Sequence, residues 1–430
     1  MKKIFLASIV GAGVFVASAA AQDAPAPAAS DASIFVFNTL LFLVSGMVVM
    51  FMAAGFCMLE AGLVRAKNAA TICLKNIALY SVAGLMVYLV GYNLIYGVAE
   101  GGVIGKFGAW GADDSDPVGT GYAAGADWYF QMVFVATAAS IVSGTLAERI
   151  KLWPFLIFVA VLTGFIYPIQ AGWVWGGGWL DARFDDFAGS TLVHSTGGWA
   201  ALAGAIVLGP RAGKYVQGRV TPIPGSSLPL ATLGAFILWL GWFGFNGGSQ
   251  LALGTISDAV SVATIFVNTN MAACGGVVAA LVLTQILYKK VDLTIVLNGA
   301  IGGLVSITAE PLQPAIYQAI LIGAVGGVIV TLAVPLLDRL KIDDVVGAIP
   351  AHLFCGVWAT LIVPLSNKEV TFFGQLTGVA VIGAFVFAGS LLVWLALKYT
   401  VGIRASEHDE RVGLDKSELG LEAYPEFAST

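Results

Sequence analysis

The chain carries one short pattern twice, and each copy contains a residue able to handle protons in an apolar setting. Asp185-Asp186-Phe187-Ala188-Gly189 leads to His194 and Gly198, and Asp343-Asp344-Val345-Val346-Gly347 leads to His352 and Gly356. In both copies the spacing is Asp-Asp, two residues, Gly, four residues, His, three residues, Gly. The copies lie 158 positions apart, and their histidines are the two of the chain's 3 that fall in apolar stretches. A neutral imidazole offers one donor and one acceptor and can take up a proton. Two of them brought together could line a pathway for a small polar molecule.

The elements that hold these residues follow from composition. The 430-residue chain is 58% hydrophobic and 11% charged, against about 25% charged in soluble domains. Its apolar runs exceed the roughly 20 residues that cross a bilayer, and the ten-residue alternation of a membrane β-barrel is absent. The expected fold is an all-α polytopic membrane protein. Met1-Lys2-Lys3, the apolar Ile4 to Ala20, and Ala19-Ala20-Ala21 ahead of Gln22-Asp23 read as a signal peptide over 1–21. The alternative is an uncleaved first span. Ala24-Pro25-Ala26-Pro27-Ala28 then marks an external linker over 22–33. A cleaved signal peptide places the mature N-terminus outside a bacterial inner membrane. Cys57, Cys73, Cys274 and Cys355 sit in apolar spans without CxxC spacing, and read as small core residues.

After the signal peptide, eleven apolar spans are expected, at about 34–58, 70–96, 128–146, 153–172, 190–209, 228–246, 257–284, 293–310, 315–336, 345–365 and 372–399. An odd count with the N-terminus outside puts the C-terminus inside. The loops that would then be cytoplasmic hold 11 cations, including Arg65, Arg149, Arg211, Lys289 and Arg339; the external loops hold 3, namely Lys106, Arg183 and Lys368. This agrees with the positive-inside rule. His194 falls in the fifth span and His352 in the tenth, so the two halves are expected to be inverted repeats, a recurrent transporter plan. The division is a first five-helix repeat at 34–209, a second at 210–365, an eleventh helix at 366–400 and a cytoplasmic tail at 401–430. The pairs Gly275-Gly276, Gly302-Gly303 and Gly326-Gly327 point to close helix packing.

Asp186 and Asp344 are placed as N-caps, where the helix dipole favours a carboxylate. Eight residues of helix, about 12 Å of rise, then carry each His towards the midplane of a hydrocarbon core about 30 Å thick. Ionisable groups at that depth are costly and usually functional. Desolvation and mutual repulsion keep two adjacent imidazoles from both being charged. A metal site would need a third ligand at suitable spacing, and these spans offer none.

Aromatic residues crowd the external span ends. Trp175 precedes Gly176-Gly177-Gly178, Phe134 closes Phe130-Gln131-Met132-Val133-Phe134, and Trp242-Phe243-Gly244-Phe245-Asn246 is followed by Ser249. Two readings fit: an interfacial aromatic belt, or a cage attracting a small cation by about 2 kcal/mol when desolvated. Asp113, Asp114, Asp116, Asp185 and Asp186 bias this side towards cations; solvated loops are often acidic too.

Across all eleven spans and the tail, the chain resembles bacterial ammonium transporters of the Amt/Mep/Rh family. The motifs are Asp186-Phe187-Ala188-Gly189 through His194, Ala147-Glu148-Arg149, Gly241-Trp242-Phe243-Gly244-Phe245-Asn246-Gly247-Gly248-Ser249, and Asp343-Asp344 through His352-Leu353-Phe354-Cys355-Gly356. The resemblance implies a homotrimer with a pore in each subunit. It implies external ammonium recruitment by Phe134, Trp175 and Ser249, a phenyl gate of Phe134 and Phe245, and the twin histidines His194 and His352. It further implies that Trp242 lines the pore and that Asp186 orients the upper site and assists deprotonation. Ammonium or methylammonium would be captured and deprotonated, with ammonia and a proton passing separately. Gly402-Ile403-Arg404-Ala405-Ser406-Glu407 and Gly413 to Tyr424 resemble the family's tail, which couples subunits and meets a PII-type protein. Leu419 and Leu421 depart from that pattern, where His and Glu are common.

Three function classes follow. A transporter carries saturable, sodium-insensitive ammonium flux. A sensor signals through its tail with little flux; no large signalling domain follows residue 430, which argues against the dedicated sensor form. An intramembrane enzyme needs a nucleophile beside the histidines, and Ser195 points about 100° away from His194 on a helix. No cofactor and no nucleic-acid partner is expected; membrane lipid is.

Overall fold

The computed structural model describes residues 29–427. The signal peptide over 1–21 and most of the linker lie outside the described residues. Ser30 accepts from Ser33 and starts the first helix at Asp31, inside the expected linker. The helical segments are α1 (Asp31–Leu63), α2 (Ala66–Tyr96), α3 (Ala124–Thr145), α4 (Leu152–Gly172), α5 (Ser190–Leu208), α6 (Leu228–Gly248), α7 (Ile256–Tyr288), α8 (Leu293–Thr308), α9 (Ile316–Arg339), α10 (Ile349–Leu365) and α11 (Phe372–Thr400). Eight of these are long and apolar enough to cross a membrane, and α8 and α10 are shorter apolar helices. The 22-residue α3 is less apolar because it lies inside the bundle, where Thr137, Ser140 and Ser143 are buried. Phe236, Leu240, Val278, Leu332 and Leu392 are exposed on the outer faces. A soluble protein would bury such side chains; lipid accommodates them. The chain is a multi-pass membrane protein.

α1 packs along α6, and α7, α8 and α9 form a tight trio. The trio depends on the paired glycines. A Cβ at Gly276 would strike the Gly299 carbonyl, one at Gly303 the Ala272 carbonyl, and one at Gly327 the Gly276 backbone. The helices therefore meet backbone to backbone. α2 and α4 each widen into a π-turn, at Val87–Gly91 and Leu162–Ile166, and these turns pack together.

The tail is bound along its length to one end of the bundle, unlike a solvated charged segment. Asp415 accepts from the Ala70 and Thr71 amides at 2.9 and 2.7 Å, capping the start of α2. Glu418 accepts from the Leu152 amide at 2.9 Å and caps α4. Arg404 donates to the Leu208 and Pro210 carbonyls beyond α5 and to Glu410. Leu419 is half-buried and Leu421 exposed. Above the tail, Arg211 binds Asp343 with Nε 2.9 Å from Oδ2, and Arg149 donates to the Asp343 carbonyl at 2.6 Å. Burial pushes the Asp343 carboxyl up, but the two guanidiniums prevail and hold it at about 2. Glu148, at the end of α3, pairs with Arg65.

The cysteines are free, and Cys355 alone of the four is buried. Cys73 is exposed and Cys57 and Cys274 are partly so, which corrects the core reading for those three.

Candidate functional site

The cap, turn-glycine, histidine and second-glycine positions of the duplicated pattern each have a structural task where α5 and α10 cross. Gly189 and Gly347 adopt φ of 101° and 77°, left-handed turns that favour glycine. The carboxylate of Asp186 accepts from the amides of Ser190, Thr191 and Leu192 at 2.7, 2.8 and 2.8 Å. That of Asp344 accepts from Gly347 and Ile349 at 3.2 and 2.7 Å, and from the Thr145 hydroxyl. Gly198 and Gly356 lie at the crossing itself. A Cβ on Gly198 would sit 2.6 Å from Leu353 Cβ, and one on Gly356 would strike the Ser190 carbonyl. Thr191 and Thr360 hydroxyls join the helices at 2.7 Å.

Both helices begin in a π-turn, Ser190–Ser195 and Ile349–Phe354, and each turn contains its histidine. The His194 amide donates to the Gly189 carbonyl at 3.0 Å, five residues back. Such turns commonly mark functional positions. His194 and His352 are buried, with Nδ1 atoms 3.2 Å apart. One ring donates and the other accepts, so the pair shares one hydrogen. Among the described residues His194 Nε2 has no hydrogen-bond partner.

A column of rings continues from this pair towards Trp175. Trp242 stacks on His194 with centroids 4.8 Å apart, fixed by its Nε1 donating to the Thr308 hydroxyl at 2.7 Å. Phe245 lies 5.0 Å from His194 and stacks on Phe134 at 3.9 Å and 17°. Trp175 stands edge-on to Phe134 at 6.2 Å, its Nε1 donating to the Asp186 carbonyl at 3.2 Å. Ser249 follows Phe245 by one turn, and its hydroxyl donates to the Phe245 carbonyl at 2.8 Å. On the other side, Phe56 lies 6.0 Å from His352. All eight residues singled out from the sequence thus belong to one column or its immediate support.

Asp186 supports the column as the N-cap the sequence placed there, and not as part of a cation-attracting set. Its side chain is 1% exposed and taken up by three amides, so it does not face an arriving cation. It fixes the α5 start, while its carbonyl holds Trp175. The other acids of the cation-attracting set do similar work: Asp114 accepts from the Ala124 amide, Asp116 caps a short helix, and Asp185 accepts from Asn367. Both Asp186 and Asp344 are caps. The sequence reading missed Glu60 and Lys75, buried in α1 and α2. The available signal was an ionisable residue inside an apolar run, as in Met58-Leu59-Glu60-Ala61.

Residues 40–424 match the family model described as Ammonium Transporter Family. The chain is 39% identical to "Ammonium transporter Amt2" of Archaeoglobus fulgidus, covering 90% of this chain and 88% of that protein. Among solved structures, "Sensor Amt Protein" superposes with a TM-score of 0.82 at 34% identity, covering 89% of this chain and 98% of that one. The crystal structure of Candida albicans Mep2 gives a TM-score of 0.78 at 26% identity, covering 88% of each chain.

Proposed function

Since this chain belongs to the Ammonium Transporter Family, we propose that it moves ammonium across a bacterial inner membrane by separating ammonia from a proton. The observation that carries this reading is the imidazole pair, 3.2 Å between Nδ1 atoms, beneath two stacked phenyl rings. Ammonium, or methylammonium, is recruited externally against Trp175, Phe134 and Ser249. An aromatic face attracts such a cation by about 2 kcal/mol once water is shed. The rings of Phe134 and Phe245, 3.9 Å apart, close the way to a hydrated ion. An uncompensated charge in an apolar passage costs several kcal/mol, so ammonium passes its proton to water at the external mouth, on its way to His194, and ammonia continues along Trp242, His194 and His352. The imidazoles present one acceptor and one donor edge without fixed charge.

The remaining organisation belongs to the same reading. Eleven crossings place the N-terminus outside and the tail in the cytoplasm, and the loop cations favour that orientation. Residues 34–209 and 210–365 are inverted repeats; the matched π-turns and caps on α5 and α10 support this. Three chains assemble as a homotrimer, and the tail offers a surface to a PII-type protein. A sensor reading has support from the likeness to a protein titled "Sensor Amt Protein" and from the tail bound to helix starts. An ammonium concentration jump on proteoliposomes, read as current and as methylammonium uptake, separates the two. Saturable flux supports transport; tail rearrangement without flux refutes it in favour of sensing.

A further inference from the structure

Glu60 is 1% exposed in the last turn of α1, and among the described residues its Oε1 has no hydrogen-bond partner. Its Oε2 accepts from the Ser143 hydroxyl at 2.7 Å and from Asn76 Nδ2 at 3.3 Å. Lys75, also 1% exposed, donates to the Ser143 carbonyl at 2.9 Å and sits over the Phe155 ring. Among the described residues Glu60 forms no ion pair. Glu60 and Lys75 thus meet at Ser143, one at its hydroxyl and the other at its carbonyl, without a direct ion pair, and a buried carboxylate in that position is costly.

Glu60 and His352 line the same small cavity of about 10 Å³, room for a single water, with Ser140 and Phe56 beside them. Asn298 and Val346 form the wall it shares with a wider cavity lined by Asp338, Asp344 and Lys214. Its lining is mostly apolar, but Glu60, Ser140, Asn298 and His352 give one water enough polar partners to bridge imidazole and carboxylate.

Resting on the transport reading above, we propose that Glu60 is the proton-relay carboxylate on the tail side of the histidine pair. A proton arriving at His194 Nε2 forms a new N–H bond there. His194 passes its Nδ1 proton to His352 Nδ1, and His352 releases its Nε2 proton through a water to Glu60 Oε1. The carboxylic acid then gives that proton to water in the wider cavity and returns to carboxylate. Nothing is oxidised or reduced, one proton enters and one leaves, and the two rings end in exchanged tautomers that must reset before the next transfer. Ser143 and Asn76 hold Oε2 and leave Oε1 free for this exchange.

The test is Glu60→Gln in the full chain, reconstituted in proteoliposomes. Ammonium-evoked current and neutral ammonia entry, read as lumen alkalinisation, are measured in parallel. Losing a positioned proton acceptor should lower the current about tenfold or more, while alkalinisation persists or rises, because ammonia that enters without its proton takes one from the lumen. Current within about twofold of wild type, or a joint loss of both signals, overturns the relay. Should Glu60→Gln fail to insert, Glu60→Asp decides: drawing the carboxylate back by one methylene should cost about threefold in current with alkalinisation kept, and an unchanged current overturns the proposal. A wild-type protein with ammonia entry but no current would overturn the separated-proton reading itself, and the relay with it; the wild-type arm shows which has failed.

Discussion

Replacing Asp186 by alanine removes one side chain and leaves three buried amides, those of Ser190, Thr191 and Leu192, without their acceptor. Hydrogen bonds to a charged acceptor contribute about 1.5–3 kcal/mol each, and an orphaned buried donor costs about 1–3 kcal/mol. Removing an N-cap costs about 0.5–2 kcal/mol. The three losses share one carboxylate and do not add fully, so we expect destabilisation of about 3–6 kcal/mol. That is a large fraction of the about 5–15 kcal/mol that holds a folded domain. Asp186→Asn keeps one carbonyl oxygen facing the same amides and should cost about 1–2 kcal/mol. The assay is thermal unfolding in detergent by intrinsic tryptophan fluorescence, paired with methylammonium uptake in proteoliposomes. Alanine should lower the unfolding midpoint by several degrees and abolish uptake, because the α5 start and Trp175 lose their anchor. Asparagine should lie between alanine and wild type in both measures. An alanine variant with an unchanged midpoint would refute the capping argument. Unchanged uptake would refute the coupling of that cap to the pore.

Other outcomes follow from the same geometry. His194→Ala and His352→Ala should each change ammonium-evoked current or its selectivity while inserting normally; wild-type current and selectivity in both variants would remove the pair from the mechanism. Phe134→Ala deletes one of two rings stacked at 3.9 Å, and should weaken discrimination between ammonium and hydrated potassium, measured as potassium-evoked current. The Asp343 carboxyl is held at about 2, below its ordinary 3.8. Its stabilisation is therefore full above 3.8 and lost as pH falls from there through about 2. The unfolding midpoint should drop across that window in wild type, and less in Asp343→Asn. Asp415→Ala leaves the Ala70 and Thr71 amides uncapped, and should expose the tail to limited proteolysis while α11 remains protected.

The duplicated pattern made much of the site legible before any coordinates, because identical spacing requires identical placement. It located His194 and His352, their caps and their crossing glycines. Composition likewise revealed a helical membrane protein. The π-turns were not legible: bonding to a carbonyl five residues back depends on how Gly198 and Leu353 meet across the crossing, which is a tertiary matter. Asp186 was also counted among the acids that bias its side towards cations because its charge was visible and its three amide partners were not. Glu60 was visible in the sequence, yet its unpartnered oxygen appears only when α1, α2 and α3 come together. Tail docking rests on pairs such as Asp415 with Thr71, separated by 344 positions, and no local pattern reports contacts of that range.

The π-turns at Ser190–Ser195 and Ile349–Phe354 also bear on how such a chain can change over time. A π-turn accommodates one residue more than an α-turn. Deleting a single residue there would let the helix rewind as α, rotating everything beyond it by about 100°. On α5 that rotation would carry Gly198 away from Leu353 and put a side chain into the crossing. A one-residue deletion in one copy is not repaired by the same deletion in the other, because each histidine would turn from its partner. Both turns therefore act as a reading frame for the pore, open to side-chain exchange and closed to changes in length.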